Sequence, residues 1–420
     1  MNLRTTLAAL GIPDAEPVFA PDWERHLREI PQGSLPFLAP DCVATACRAA
    51  FIPEERTAEI LAAARRVAAD PAASALAWHC HAALFRPGEP RPRTGAWPML
   101  TAALGRDAGL FYILVLLSGT PQAQAVHRAR AIPPDIARET LRDLNLYCET
   151  EDYPLLTGDW GLSTRVLGGI MQHWRGDLYR LGRLQFVPGS FSNGLRAFRH
   201  RGSGAVVALS EEGVRYRADG QLQGTGGGED RGGAWTATLA LSDSEIRGHP
   251  IASWGCALRE TVTLAAAEWQ PALAPGDGVL HVHISGGSPM DYDSCGDSLR
   301  RALDFFPRYF PDRPFVGFCC RSWVLDNQFE RLLPPSSNLV RFQQEVYLFP
   351  LLSGGAATIE AVFGFGLTPD DRERFPRRTR MQQAFARHLD AGGHFRSGGC
   401  FLLKEDLDWG SRRYRRLWPL

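Results

Sequence analysis

Two histidines, His281 and His283, stand two residues apart in the apolar stretch VLHVHI, Val279–Ile284. In a strand, that spacing puts both imidazoles on one face and Leu280, Val282 and Ile284 on the other. Imidazole accepts a proton near neutral pH, so either ring suits general-base chemistry. A half-buried strand with two hydrogen-bonded histidines accounts for the same pattern. Directly after it comes Ser285-Gly286-Gly287-Ser288-Pro289. A Gly-rich loop between a strand end and a helix start offers unpaired backbone N–H groups and the positive end of a helix dipole, which suits a phosphate. Gly286 and Gly287 allow close backbone approach, and Arg300 and Arg301 add positive charge. A surface loop before a capped helix is the plainer alternative. On the next strand, Phe315–Ser322, Cys320 and Ser322 share one face. Either could hydrogen-bond a ligand or protonate a leaving group, although a buried cysteine is more often a core filler. Tyr347 is a further candidate acid on its strand position alone.

Other clusters carry less chemistry. Trp78-His79-Cys80-His81 looks metal-binding, but adjacent ligands on a helix diverge by about 100° per residue and cannot all face one ion. Asp291 and Asp293 precede a helix and read first as caps. The chain lacks G-x-S-x-G, H-E-x-x-H, a Walker loop and G-x-G-x-x-G, so a serine acyltransferase elbow and nucleotide-fold motifs are not supported.

The 420 residues suggest two or three domains. Basic and acidic residues balance at 46 each, and Lys404 is the sole lysine. That balance gives no long-range attraction to nucleic acid or an anionic membrane, so neither is expected as a partner. Nine cysteines without C-x-x-C spacing point to free thiols in a reducing cytosol rather than a disulfide or zinc framework. The first residues lack the apolar core of a signal peptide, and the longest apolar run, Gly109–Leu117, is too short to span a bilayer. A cytoplasmic location is therefore expected.

The positioning elements fall into two blocks. Residues 1–175 read as helical, with helices expected over Arg56–Ala69, Ala72–Phe85, Asp107–Leu117, Pro134–Leu146 and Ser163–Leu178. Residues 176–420 read as α/β. Strands are expected over Leu181–Val187, Trp235–Leu241 and Glu260–Leu264, with a hairpin joining Ala205–Leu209 to Val214–Arg217. Gln221–Gly233 reads as a Gly-rich surface loop. The later order is strand Val279–Ile284, helix Ser294–Phe306, strand Phe315–Ser322, helix Leu325–Leu333 and strand Leu339–Leu351, then helix Met381–Asp390. Ser294 with Asp297 predicts a capping box. The strand–helix–strand unit predicts a parallel pair joined by a right-handed crossover.

Six stretches in order, YRLGRLQF (Tyr179–Phe186), IRGHP (Ile246–Pro250), HVHISGGSPMD (His281–Asp291), FFPRYFPDRPF (Phe305–Phe315), CRSWVLDNQF (Cys320–Phe329) and SSNLVRF (Ser336–Phe342), carry a family likeness. The chain resembles the bacterial acyltransferases with a helical N-terminal domain and a GNAT-like C-terminal domain. The resemblance implies an α/β (α+β) fold: a helical domain over 1–175, then a GNAT-like mixed sheet flanked by helices over 176–420. It implies transfer of an acyl group from acyl-CoA (acetyl-CoA or longer) to the amine of a small molecule or peptide, by direct attack and without a metal. It places the pantetheine arm between the two parallel strands and the pyrophosphate at the loop. On that basis His283 is the expected base, and Ser322 and Tyr347 are the expected acids. Ile284, Ser285, Gly286, Gly287, Ser288, Ser294, Cys295, Ser298, Arg300 and Cys320 would contact the cofactor. One departure stands out: Ser285–Pro289 occupies the place of the usual R/Q-x-x-G-x-G/A signature. The competing class is a non-catalytic acyl-CoA sensor or regulatory protein whose helical domain docks a partner or DNA, with the arginines around Ala129–Leu146 as its best DNA-facing candidate.

Overall fold

The computed structural model describes residues 2–86, 92–230 and 232–420. Arg231, within the Gly-rich loop expected over Gln221–Gly233, lies outside the described residues. The chain divides into two bodies: Met1–Leu181 with Ser285–Pro289, and Gly182–Ile284 with Met290–Leu420.

The first body is helical. Helices Glu54–Ala69, Pro71–Phe85, Ala108–Leu117 and Thr164–Trp174 surround one apolar core that includes Leu76, Phe111, Leu114, Leu167 and Trp174. Asp70 caps the second of these by accepting from the backbone N–H groups of Ala72 and Ala73. Every residue of Ala108–Leu117 is buried. The longer stretch Thr101–Ala129 has the length and apolarity of a membrane span, but it is the central helical region of this core. The helix expected over Pro134–Leu146 is two, Pro134–Leu141 and Asp143–Thr150.

The second body is built on a mixed sheet containing, in order, Leu184–Ser190, Gly278–His283, Gly317–Ser322, Gly398–Leu403 and Tyr347–Pro350. Gly278–His283 and Gly317–Ser322 run parallel, as the strand–helix–strand pattern requires; the other neighbours are antiparallel. The linking helix, Tyr292–Tyr309, buries Cys295, Leu299, Ala302, Phe305 and Phe306 along one stripe. Burying each phenylalanine contributes about 1.5–3 kcal/mol. A second, antiparallel sheet holds Cys256–Ala257, Pro250–Ala252, Val206–Ser210, Leu195–His200 and Trp269–Leu273. Helices Phe329–Leu332, Ala356–Phe363 and Arg380–Asp390 gather around Phe329, Phe385 and Phe395.

Several expected elements differ. Leu339–Leu351 is a helix, Asn338–Glu345, followed by a short strand. Val206–Ser210 pairs with Leu195–His200, while Arg215–Tyr216 pairs with Trp235–Thr236, so the expected hairpin does not form. The helix expected from Ser294 starts at Tyr292. Its cap is Asp291, whose carboxylate accepts from the Ser294 N–H at 2.8 Å. Asp297 instead pairs with Arg300 at 2.6 Å.

Candidate active site

The parallel ladder pairs Val279 with Gly317, Leu280 with Phe318 and His281 with Cys319. It stops there, although the strands continue to His283 and Ser322. Each continuing segment stays registered with its outer neighbour: Val282 and His283 with Phe186 and Gln185, and Cys320 to Ser322 with Cys400 to Gly398. The two inner strands thus cease to pair within an otherwise continuous sheet. A stretch of main chain that no longer bonds across a sheet is a place where an extended ligand can pair instead.

His281 and His283 lie on the expected common face. His283, at the strand end, is exposed. His281 is half-buried against Gly189, with Nε2 3.2 Å from the Ser190 carbonyl. Burial lowers its pKa; the Ser190 bond opposes that and Arg321 adds to it. It is a hydrogen-bonded strand histidine; His283 stands two residues on, at the end of the same strand and beyond the last pair of the parallel ladder. Ser322 is partly exposed, and its hydroxyl oxygen accepts from Val324 N–H at 3.4 Å, capping the short turn Trp323–Leu325. Its own proton remains available to a ligand.

Other predicted site residues serve the scaffold. Tyr347 is fully buried; its hydroxyl donates to the Ile251 carbonyl and accepts from Ala208 N–H at 3.0 Å. Its proton is committed and burial pushes its pKa well up, so it is not available as an acid. Ser298 is buried with its hydroxyl oxygen accepting from Arg183 and Leu184 N–H, at 2.9 and 3.3 Å, and donating to the Ser294 carbonyl. It fixes a turn rather than meeting a phosphate. Cys295 is buried and its thiol pKa is pushed up to about 12 by burial. Cys320 is buried opposite Cys400. Arg300 is exposed and paired with Asp297.

Ser285–Pro289 is anchored by contacts that the sequence did not advertise. Arg180 donates to the Ser285 hydroxyl at 2.6 Å and to the buried Asp143 carboxylate at 2.6 Å. Asp143 also meets His173 Nε2 at 3.1 Å. Gly287 has φ +79°, and a Cβ there would overlap Leu146 Cδ1. Its glycine is therefore required by backbone shape and by close approach to a helix, independently of any phosphate. Gly286 has no comparable crowding, with Thr150 Oγ1 3.8 Å from an added Cβ.

The Trp78–His81 segment holds its rings apart. His79 Nδ1 meets His26 Nδ1 at 3.1 Å, whereas His81 Nδ1 meets Ser118 Oγ at 2.7 Å. Burial lowers their pKa values to about 3 and about 4, with His26 adding to the effect on His79. Among the described residues no three His, Cys, Asp or Glu side chains gather as a metal site.

The family comparison agrees with this architecture. Residues 178–402 match the GNAT-like C-terminal domain and residues 41–176 the N-acyltransferase N-terminal domain. No curated relative matches. Among solved structures, an acyltransferase in complex with CoA and 10C-teicoplanin is similar at 23% identity, TM-score 0.65, over 96% of this chain and 99% of that one. An acyltransferase with decanoyl-CoA and teicoplanin has 23% identity and TM-score 0.64, and an acyltransferase mutant with octanoyl-CoA 22% and 0.63, each over the same shares. At these identities the likeness speaks to the fold. The domain match over more than half of its length places this chain in the family of acyltransferases with a helical N-acyltransferase domain and a GNAT-like C-terminal domain.

Proposed function

We propose that this acyltransferase moves an acyl group from a coenzyme A thioester to an amine on a small molecule. The observation that carries the reading is the ladder between Gly278–His283 and Gly317–Ser322, which ends at His281 and Cys319 while both strands run on. The pantetheine arm is an amide-bearing chain, and it pairs with main chain where those strands part. The CoA and acyl-CoA complexes of the similar acyltransferases support that ligand, and the teicoplanin complexes support a small-molecule acceptor.

In this reading the amine nitrogen attacks the thioester carbonyl carbon. The C–N bond forms, the C–S bond breaks, and the products are an amide and coenzyme A. His283 takes the proton that the amine must lose. Ser322 donates a hydrogen bond to the departing sulfur. Direct attack is the step that the family resemblance implies, and burial holds two of the neighbouring thiols protonated: Cys319 is pushed up to about 12 and Cys400 well above its usual value.

The test is release of free CoA thiol from acetyl-, octanoyl- and decanoyl-CoA with a panel of amines. His283→Gln should lower kcat by about 10²-fold or more, the usual range for a general base, and flatten the rising limb of the pH–rate profile. Ser322→Ala should lower kcat by about tenfold with little change in KM. Absence of both binding and thiol release for every acyl-CoA, by folded protein, would overturn the proposal.

A further inference from the structure

The sheet face that carries His281 and His283 also carries a cation without a counter-charge. The parallel ladder ends with His281 opposite Cys319, so these two side chains lie on one face. The next residues of that face are His283 on one strand and Arg321 on the other. Arg321 is exposed. Its charge reaches both residues of the last rung: burial lowers the His281 pKa and Arg321 adds to that, while burial raises the Cys319 pKa and Arg321 opposes it. The partner of Arg321 in register on the following strand is Gly399, so no side chain of that strand stands beside it. A Cβ at Gly399 would overlap the Phe349 ring, which is buried there.

Among the described residues no carboxylate pairs with Arg321. Two acids on adjoining segments are engaged elsewhere. Asp326 is buried, 3.5 Å from Arg396. Glu211, whose N–H donates to the Gly194 carbonyl, pairs with Arg196 at 2.7 Å. The neighbouring Asn193 donates to the Cys319 sulfur at 3.6 Å. A planar guanidinium matches a carboxylate with two parallel N–H bonds. Neighbouring strands lie about 4.8 Å apart. A carboxylate held at Arg321 therefore belongs to a molecule whose amine, delivered beside His283, is only a few bonds away. Amino acids have that spacing.

Resting on the acyl-transfer reading above, we propose that the acceptor is an amino acid, its amine close to a free carboxylate, and that Arg321 holds that carboxylate while the nitrogen attacks the thioester. The carboxylate takes no part in bond making and remains on the amide product. Arg321 is then a specificity residue for the acceptor.

The test measures thiol release from octanoyl- and decanoyl-CoA with a series of amino acids and with the corresponding amino acid amides. Each kcat/KM is referred to the unprotonated amine, because amidation lowers the amine pKa. Wild type should favour the free amino acids by about tenfold or more, the scale of one charge-assisted pair. Arg321→Gln, shown to be folded by a thermal melt, should lose most of that preference through a raised KM for the amino acids, with KM for acyl-CoA unchanged. Arg321→Lys should keep part of it. Equal use of amino acids and amides by wild type, or a Gln variant that keeps the preference, would overturn the inference and leave the acyl-transfer reading standing. So would a folded Gln variant that no longer binds acyl-CoA, which would assign Arg321 to the donor. Absence of both acyl-CoA binding and thiol release in wild type would overturn both.

Discussion

Replacing Tyr347 with phenylalanine separates a scaffold role from a catalytic one. The hydroxyl ties the mixed sheet to the antiparallel sheet through two main-chain groups, the Ile251 carbonyl and the Ala208 N–H. Ala208 and Ile251 are themselves partners in register, and both are buried. Tyr347→Phe keeps the ring, including its stack on Phe401 at 4.7 Å, and leaves no cavity beyond one oxygen. What is lost is one acceptor and one donor facing buried backbone, at about 1–3 kcal/mol each when left unmet. Because the two groups are neighbours and can partly relax toward each other, about 3 kcal/mol in total is the working figure. At roughly 2–4 °C per kcal/mol for a body of this size, Tm should fall by about 6–12 °C. The assay is urea and thermal unfolding, together with thiol-release kcat at a temperature where both proteins are folded. Stability should drop and kcat per folded molecule should hold. An unchanged Tm with a fall in kcat of tenfold or more would refute the reasoning and return Tyr347 to the chemistry.

Gly287→Ala should weaken attachment of the Ser285–Pro289 segment, since it adds left-handed backbone strain of about 1–2 kcal/mol to an overlap with Leu146 Cδ1. Amide hydrogen exchange across residues 285–289 should accelerate, and Leu146→Ala in the same chain should restore part of the protection; unchanged exchange would mean that the contact is not holding the segment. Acid should destabilise the helical body. His81 has its pKa lowered from 6.5 to about 4, so between those values the unfolded chain binds more protons, and stability falls as pH drops through 6.5 toward 4. The slope is about 1.4 kcal/mol per pH unit for such a histidine, and His81→Gln should reduce the acid limb of Tm against pH by that share, leaving what His79 and His127 contribute; an unaltered limb would show that His81 is not one of the titrating groups.

Period and punctuation made the helical body and the parallel strand pair legible. Ile60, Ala64 and Val67 mark the buried stripe of Glu54–Ala69, and VLHVHI alternates as a strand must. Helix Arg380–Asp390, expected over Met381–Asp390, was visible from the Gly392-Gly393 break that follows it; the structure adds a capping box of Thr379 and Gln382 at its start. Where apolar spacing is ambiguous, the reading failed. In Leu339–Leu351 the helix Asn338–Glu345 buries Val340 and Phe342 at the i, i+2 spacing of a strand, and it is directly joined to four buried strand residues, so the period alone does not separate the two states. Strand Gly398–Leu403 was missed because Gly398-Gly399 reads as a break. A Cβ at Gly398 would overlap the Leu325 carbonyl, so the strand sits where it does only because the residue is glycine. No local rule contains that contact.

The candidate site was legible to a different degree, for a related reason. Residue type and spacing located the strands, and hence His283 and Ser322 at their ends. They did not reveal which polar groups the fold had already engaged. Ser298 and Tyr347 carry the same hydroxyl chemistry as Ser322, but each both accepts main-chain hydrogen bonds and donates to one. Ser322 accepts one bond and keeps its donor. Arg180 and Asp143 were invisible for the converse reason: they are far apart in sequence and acquire meaning only where Arg180 meets Ser285. A group is available for chemistry when the scaffold leaves one of its hydrogen-bonding valences open toward a ligand. That property belongs to the folded surroundings, so a sequence can nominate a hydroxyl or an arginine, and the network around it decides which role it fills.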